Sequence, residues 1–305
     1  MIVLENVTKY YSKKDKPAVD NIDLTVNDGE ILGLVGLNGA GKTTAIRMVA
    51  GIILPSSGRI TVDGVDVVED KASASRLTGW VPETPNVDLN ARAISLMRYF
   101  AGFYGFKGDE TKRIIEERLR SVGLTDYAKR KLKVYSQGMK KRFLLAESLL
   151  GDPQNILFDE TLNGLDPEGV KFVRDMIVKL KDDGRAILLS SHILSEIENI
   201  ADRVAVIHRG KLIKLLSREE MKKIRSESLK IIVRNYDKNL LSLLEEFGEP
   251  DISGNELILK RLKIPYGEYS RIVKALVEGG YELETFCPTG ESLESYFFSL
   301  VGVKK

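Results

Sequence analysis

One cysteine, one tryptophan and two histidines are spread through 305 residues, and each scarcity removes a class of chemistry. Cys287 alone closes no disulfide within the chain and builds no thiolate metal site, so a reducing, cytosolic setting is expected. An excess of either charge is missing too: Lys and Arg total 46 against 44 Asp and Glu, a formal net charge of +2. No whole-molecule basic field draws such a chain onto nucleic acid, and no nucleic-acid partner is expected. Long apolar runs are also absent. The longest, residues 31–37 and 48–54, fall far short of the roughly 20 residues a bilayer helix needs. Ile2-Val3-Leu4 is broken at once by Glu5, which does not read as a signal peptide. If the protein serves a membrane process, another chain is expected to supply the spanning part.

What is present is a globular composition, 43% hydrophobic and 30% charged, which excludes wholesale disorder. The length lies near the upper limit for one hydrophobic core, so two domains are expected. Up to about residue 216, strand-like and helix-like segments alternate as in an α/β fold. Residues 2–7 and 21–26 alternate like half-buried antiparallel strands, whereas 30–36, 155–159 and 186–190 are nearly continuous apolar runs, as parallel strands buried on both faces are. Residues 88–150 read as a mostly helical insertion, with Ile94, Met97, Phe100, Ala101 and Tyr104 on one apolar face. Residues 217–225 read as a charged helical connector. Beyond it, 226–305 read as a small α+β domain, with strands at 229–234, 256–262 and 281–286 and helices at 239–247, 266–278 and 291–300. Its charges balance, which favours a protein–protein contact over a nucleic-acid tail.

Gly36-Leu37-Asn38-Gly39-Ala40-Gly41-Lys42-Thr43-Thr44 matches G-x-x-x-x-G-K-[ST], with an apolar strand running in and a helix-compatible segment, 44–50, running out. The glycines permit a tight loop whose N–H groups point at an anion, and the helix adds its positive end. Lys42 is expected on the β- and γ-phosphates and the Thr43 hydroxyl on Mg²⁺. Residues 155–160 form an apolar strand ending in two acids. Asp159 suits a magnesium ligand through water, and Glu160 suits a general base for an attacking water.

Between these lies Tyr135-Ser136-Gln137-Gly138-Met139 before a helix at 140–150. After them come Gly164-Leu165-Asp166-Pro167 and a strand ending Ser190-Ser191-His192. This ordered set resembles the ATP-binding cassette (ABC) ATPases, the motor subunits of ABC transporters, over about residues 1–216. The resemblance implies a P-loop NTPase core, a mostly parallel sheet joined to an antiparallel amino-terminal β-subdomain. It also implies ATP and Mg²⁺, an ATPase dimer (homodimer or pseudo-symmetric), and separate transmembrane permease subunits docked in a groove beside residue 83. Such a protein is cytoplasmic and peripheral on the inner face of the membrane. Ser136, Gln137, Gly138 and Met139 then serve the partner subunit's ATP in trans, with Asp166 crossing the interface. His192 holds the γ-phosphate, and Tyr11 stacks on adenine with Tyr10 as the alternative. Ser136 and Asp166 are equally good helix N-caps.

The chain departs from that pattern at Glu83, where the family has a glutamine; a carboxylate there still offers Mg²⁺ an oxygen but adds charge. Gln137 replaces a glycine and Thr161 a proline. The Glu83 and Tyr-Ser-x-Gly-Met variants resemble exporter-type ATPases of bacterial and archaeal drug and polysaccharide efflux. Lys129, Arg130, Lys131, Lys133, Lys140, Lys141 and Arg142 flank the Ser136 motif and read as a solvated helix face. The alternative function, a soluble ABC-type ATPase acting on nucleic acid or ribosomes, fits less well, because the chain carries one cassette and no heptad stretch. The C-terminal domain is expected to stabilise a dimer or regulate access.

Overall fold

Alternating patterns and continuous apolar runs both become strands, and they go to different sheets. The computed structural model describes residues 1–12, 16–225, 228–235, 237–253, 256–265, 267–289 and 293–302, and the chain divides into two units, Met1–Leu215 and Leu216–Lys305. The first unit runs β1 (Ile2–Lys9), β2 (Val19–Val26), β3 (Ile31–Val35), α1 (Lys42–Val49), β4 (Ser57–Val62), β5 (Val65–Asp66), α2 (Lys71–Arg76) and β6 (Thr78–Val81). It continues through α3 (Ala93–Phe103), α4 (Gly108–Ser121) and α5 (Gln137–Ser148). It returns as β7 (Asn155–Asp159), α6 (Pro167–Asp182), β8 (Ala186–Ser191), α7 (Leu194–Ile200), β9 (Arg203–His208) and β10 (Lys211–Ser217).

Every residue of β3, β7 and β8 is buried, and these strands are parallel neighbours within a six-stranded sheet ordered β10-β9-β3-β8-β7-β6. Burial on both faces is why their sequences show no alternation. The alternating β1 and β2 are antiparallel members of a four-stranded sheet, β2-β1-β4-β5. Leu4, Ile22 and Ile60 from that sheet share one core with Leu32, Leu188 and Ile207 from the other and with Ile46 of α1. The register pairs Val35 with Ser191 and Asp159 with Ser190. The carboxyl ends of three central strands therefore reach one edge together, where open α/β sheets bind ligands.

The helix expected at 44–50 starts at Lys42, and that expected at 140–150 starts at Gln137, because Ser136 supplies the cap. Strands β4, β5, β9 and β10 were not foreseen in the sequence pattern. The insertion is helical, and its α5 packs against β6.

The second unit runs α8 (Arg218–Arg225), β11 (Ser228–Val233), α9 (Lys238–Glu245), β12 (Glu249–Ser253), β13 (Glu256–Lys260), α10 (Ser270–Glu278), β14 (Leu283–Pro288) and α11 (Leu293–Val301). Its antiparallel sheet is ordered β12-β13-β11-β14, and Leu229, Ile231, Leu240, Leu259, Ile272 and Leu276 form its own core. The segment expected as a connector is α8, which belongs to this unit: Met221 and Ile224 are buried and the helix packs against α11. The helix expected at 266–278 begins only at Ser270, since Gly267 takes a φ of +96° that no helix continues. Tyr266 and Glu291, the expected starts of two helices, lie outside the described residues.

Candidate functional site

The phosphate loop leaves β3 at Val35 and enters α1 at Lys42. Two of its glycines are obligatory on steric grounds. A Cβ on Gly36 would stand 2.4 Å from the Ile207 carbonyl oxygen, and one on Gly41, whose φ is +111°, would stand 2.4 Å from that of Ala18. Gly41 is also the N-cap of α1 and offers no side chain to the first turn. The free N–H groups there are left for an anion. Lys42 is 4% exposed, and its Nζ donates to the carbonyls of Gly36 (2.8 Å) and Leu37 (3.2 Å) and pairs with Glu160 Oε1 at 3.1 Å.

Glu160 follows β7 with a φ of +46°, uncommon for a side chain of this size. Its Oε2 accepts from Asn163 Nδ2 at 2.6 Å and meets His192 Nδ1 at 2.8 Å. Burial alone would push this carboxyl up; the His192 hydrogen bond, the charge of Lys42 and the Asn163 bond together hold it below its usual value. It is therefore ionised at neutral pH and can accept a proton. With Nδ1 committed to Glu160, the His192 ring can also donate through Nε2 only when doubly protonated.

Asp159 is buried, and its Oδ1 accepts from Thr43 Oγ1 at 2.9 Å and Ser190 Oγ at 3.0 Å. Ser190 Oγ in turn accepts the Glu160 N–H at 3.0 Å, tying β8 to the acid pair. Among the described residues no group of three or more His, Cys, Asp or Glu forms a metal cage. A hydroxyl and a carboxylate at one spot, with phosphate oxygens and water completing the shell, is the donor set that magnesium takes in nucleotide sites, so the residues fit that ion.

These groups open into one cleft of about 560 Å³, lined by residues 38–44 together with Tyr11, Ala18, Glu83, Glu160, Asn163 and His192. The Tyr11 hydroxyl lies 3.2 Å from Thr44 Oγ1, with the ring exposed; Tyr10 is not part of the lining. Ser136, Gln137, Gly138, Met139 and Asp166 are elsewhere. They line a second cleft of about 340 Å³ with Arg142, Gly164, Glu168 and Gly169. Ser136 Oγ caps α5 through the Met139 N–H (3.2 Å), and Asp166 Oδ1 caps α6 through the Gly169 N–H (2.9 Å). Two helix N-termini thus open into one depression that holds no phosphate-loop residue. A third, mostly apolar groove of about 300 Å³ lies between β6, α3 and α5, lined by Trp80, Pro82, Phe100, Tyr104, Leu144 and Glu147 among others.

Sequence reasoning passed over Asn163 and Ser190 as functional groups. Ser190 stood in the stretch that ends at His192 and Asn163 just before Gly164, and the signal for both was adjacency: each sits within three residues of a chosen one.

A family model described as ABC transporter matches residues 19–163. The bacitracin transport ATP-binding protein BcrA of Bacillus licheniformis is 34% identical over 303 residues, covering 99% of this chain and 97% of that protein. A solved ATP binding subunit of an ABC transporter superposes with a TM-score of 0.66 at 26% identity, over 73% of this chain and 92% of that one. The ATP-binding cassette MJ0796, solved as a dimer in a post-hydrolysis state with ADP and Pi, shares the fold with a TM-score of 0.66 at 22% identity, over 72% of this chain and 99% of that one. Similarity that runs through both units of a transport ATP-binding protein, with the phosphate loop and its acids assembled around one cleft, means that the chain belongs to the ABC transporter family as an ATP-binding and ATP-hydrolysing subunit.

Proposed function

We propose that two such ATPase subunits close face to face on two ATP molecules, each nucleotide held by one subunit's phosphate loop and by residues 136–139 and Asp166 of the other. The observation that carries this is the separation of the two clefts: the anion-seeking ends of α5 and α6 do not line the cleft of Lys42 and Glu160. A γ-phosphate on the loop needs a second copy to bring those N–H groups to it. The dimeric MJ0796 cassette, alike in fold, supports the arrangement.

Within the closed pair, Glu160 takes the proton of the attacking water, and His192 and Asn163 keep its carboxylate in place. Lys42 carries its charge to the phosphates, and Tyr11 offers a ring to adenine. Thr43, Asp159 and Glu83 would hold magnesium, which supplies charge neutralisation to the phosphates. The apolar groove beside α3 receives separate membrane-spanning permease subunits, which keeps the protein peripheral on the inner membrane face. No helix among the described residues is long and apolar enough to cross a membrane. Export is the proposed direction, on the strength of Glu83 and the Tyr-Ser-x-Gly-Met variant. The second unit stabilises the pair or regulates it.

Glu160→Gln tests the core of this reading. Turnover should fall by about 10²–10⁴-fold while ATP binding persists, and the variant should elute as a dimer in ATP. Hydrolysis at the parental rate would remove Glu160 from the role of base.

A further inference from the structure

Lys141 does not behave as the solvated residue that its basic neighbourhood suggested. It is 6% exposed, and it and Lys42 are the two buried lysines among the described residues. Lys42 has its place in the phosphate loop. An ammonium taken out of water is unfavourable unless something nearby repays it.

What surrounds it is acidic. The Lys141 Nζ donates to the backbone carbonyl of Glu83, a residue 58 positions away; burial pulls this ammonium below its usual value, and the negative charges of Glu83, Asp159 and Glu160 oppose that pull. Of these acids Glu83 and Glu160 line the cleft into which a triphosphate must enter, and Lys42 pairs with Glu160. Glu83 is the acid that stands where the family pattern has an uncharged glutamine. Lys141 lies on the same helix that Ser136 caps.

We propose that Lys141 is the counter-charge that allows a glutamate at position 83: a positioning residue that ties α5 to the segment after β6 and offsets the extra negative charge beside the nucleotide. The inference rests on the proposed placement of nucleotide in the Lys42 cleft and adds a partner to it. Charge and hydrogen bond are separable here. Lys141→Gln leaves a side chain able to donate to the Glu83 carbonyl but removes the charge, whereas Lys141→Arg keeps both.

The test is a double-mutant cycle on the full chain, Lys141→Gln with Glu83→Gln, read as ATP affinity in EDTA with a fluorescent ATP analogue and as MgATP turnover. In the parental background K141Q should weaken metal-free ATP binding by about tenfold, and in the Glu83→Gln background by no more than about twofold. Lys141→Arg should restore affinity. An equal loss in both backgrounds would overturn the proposal and leave Lys141 a packing residue. Should K141Q fail to fold, the E83Q/K141Q chain decides. A folded, ATP-binding double variant supports the pairing, and an equally unfolded one refutes it. Failure of the wider catalytic reading would look different. Glu160→Gln would hydrolyse normally, whatever the coupling between positions 83 and 141.

Discussion

At Glu160 and Glu147 the same side chain meets two environments. Burial pushes both carboxyls up, but Glu160 has His192, Lys42 and Asn163 to outweigh it, and Glu147 has no such help. In the apolar groove Glu147 is pushed up to about 7, and its charge together with burial also raises the Tyr104 hydroxyl, for which burial is the larger cause. The unfolded chain releases the Glu147 proton near 4.5 and the folded chain near 7, so between those values the folded state binds more protons. The stability linked to this group is therefore present below pH 4.5 and lost as pH rises to about 7. Glu147→Gln should raise the free energy of unfolding by about 1–3 kcal/mol at pH 8, solvent in the groove allowed for, and have little effect at pH 4.5. Urea unfolding at the two pH values measures this; equal gains at both would reject burial of the charge as the cause.

Two elements, α5 and α6, start with side-chain caps that occupy the position proposed for a partner's phosphate. Cap and clasp can be separated at Ser136. Aspartate is an equally good N-cap, so Ser136→Asp should keep the free energy of unfolding within roughly the few tenths of a kcal/mol that separate good caps. Its carboxylate, however, would face the γ-phosphate, and ATPase activity should drop by on the order of tenfold or more, with loss of the ATP-dependent dimer. A stable variant that still turns over normally would remove the clasp role. At this scale the sequence was most readable where burial is complete or the signal is local. The all-buried β7 spans the expected residues, and the Asp166 cap before Pro167 stands where the Asx-Pro pattern put it. The strands that went unread differ in kind: β5 has two residues, β10 and β12 close one side of their sheets, β4 buries only its second half, and β9 is an inner strand whose buried run carries no alternation. An edge strand half in water carries little period-two signal. The Lys141–Glu83 contact was unreadable for another reason: Glu83 precedes the helical insertion and Lys141 lies on its last helix, and only folding brings them together.

At the scale of the whole chain, the two units bury separate sets of apolar side chains. The first core draws on β1–β4, α1, α2 and the central sheet, the second on β11, β13, α9 and α10. The division lies between Leu215 and Leu216, and the helix beyond it packs within the second unit, which decides where a truncation should be made. A chain ending at Arg225 keeps α8 without α11, leaving Met221 and Ile224, 3% and 8% exposed in the intact unit, without their packing. A chain ending at Ser217 keeps β10 intact and removes the second unit from α8 onward. Two leucine-sized side chains newly in water correspond to about 3–5 kcal/mol of lost burial. The Arg225 truncation should therefore aggregate on concentration, whereas the Ser217 truncation should stay soluble and bind ATP with a single cooperative melt. If the second unit stabilises the ATPase pair, light scattering of the Ser217 chain in ATP should require a higher protein concentration for dimer, and turnover per subunit should rise with concentration until it meets the parental value. Identical self-association and identical turnover in the two chains at every concentration would strip the second unit of both roles proposed for it.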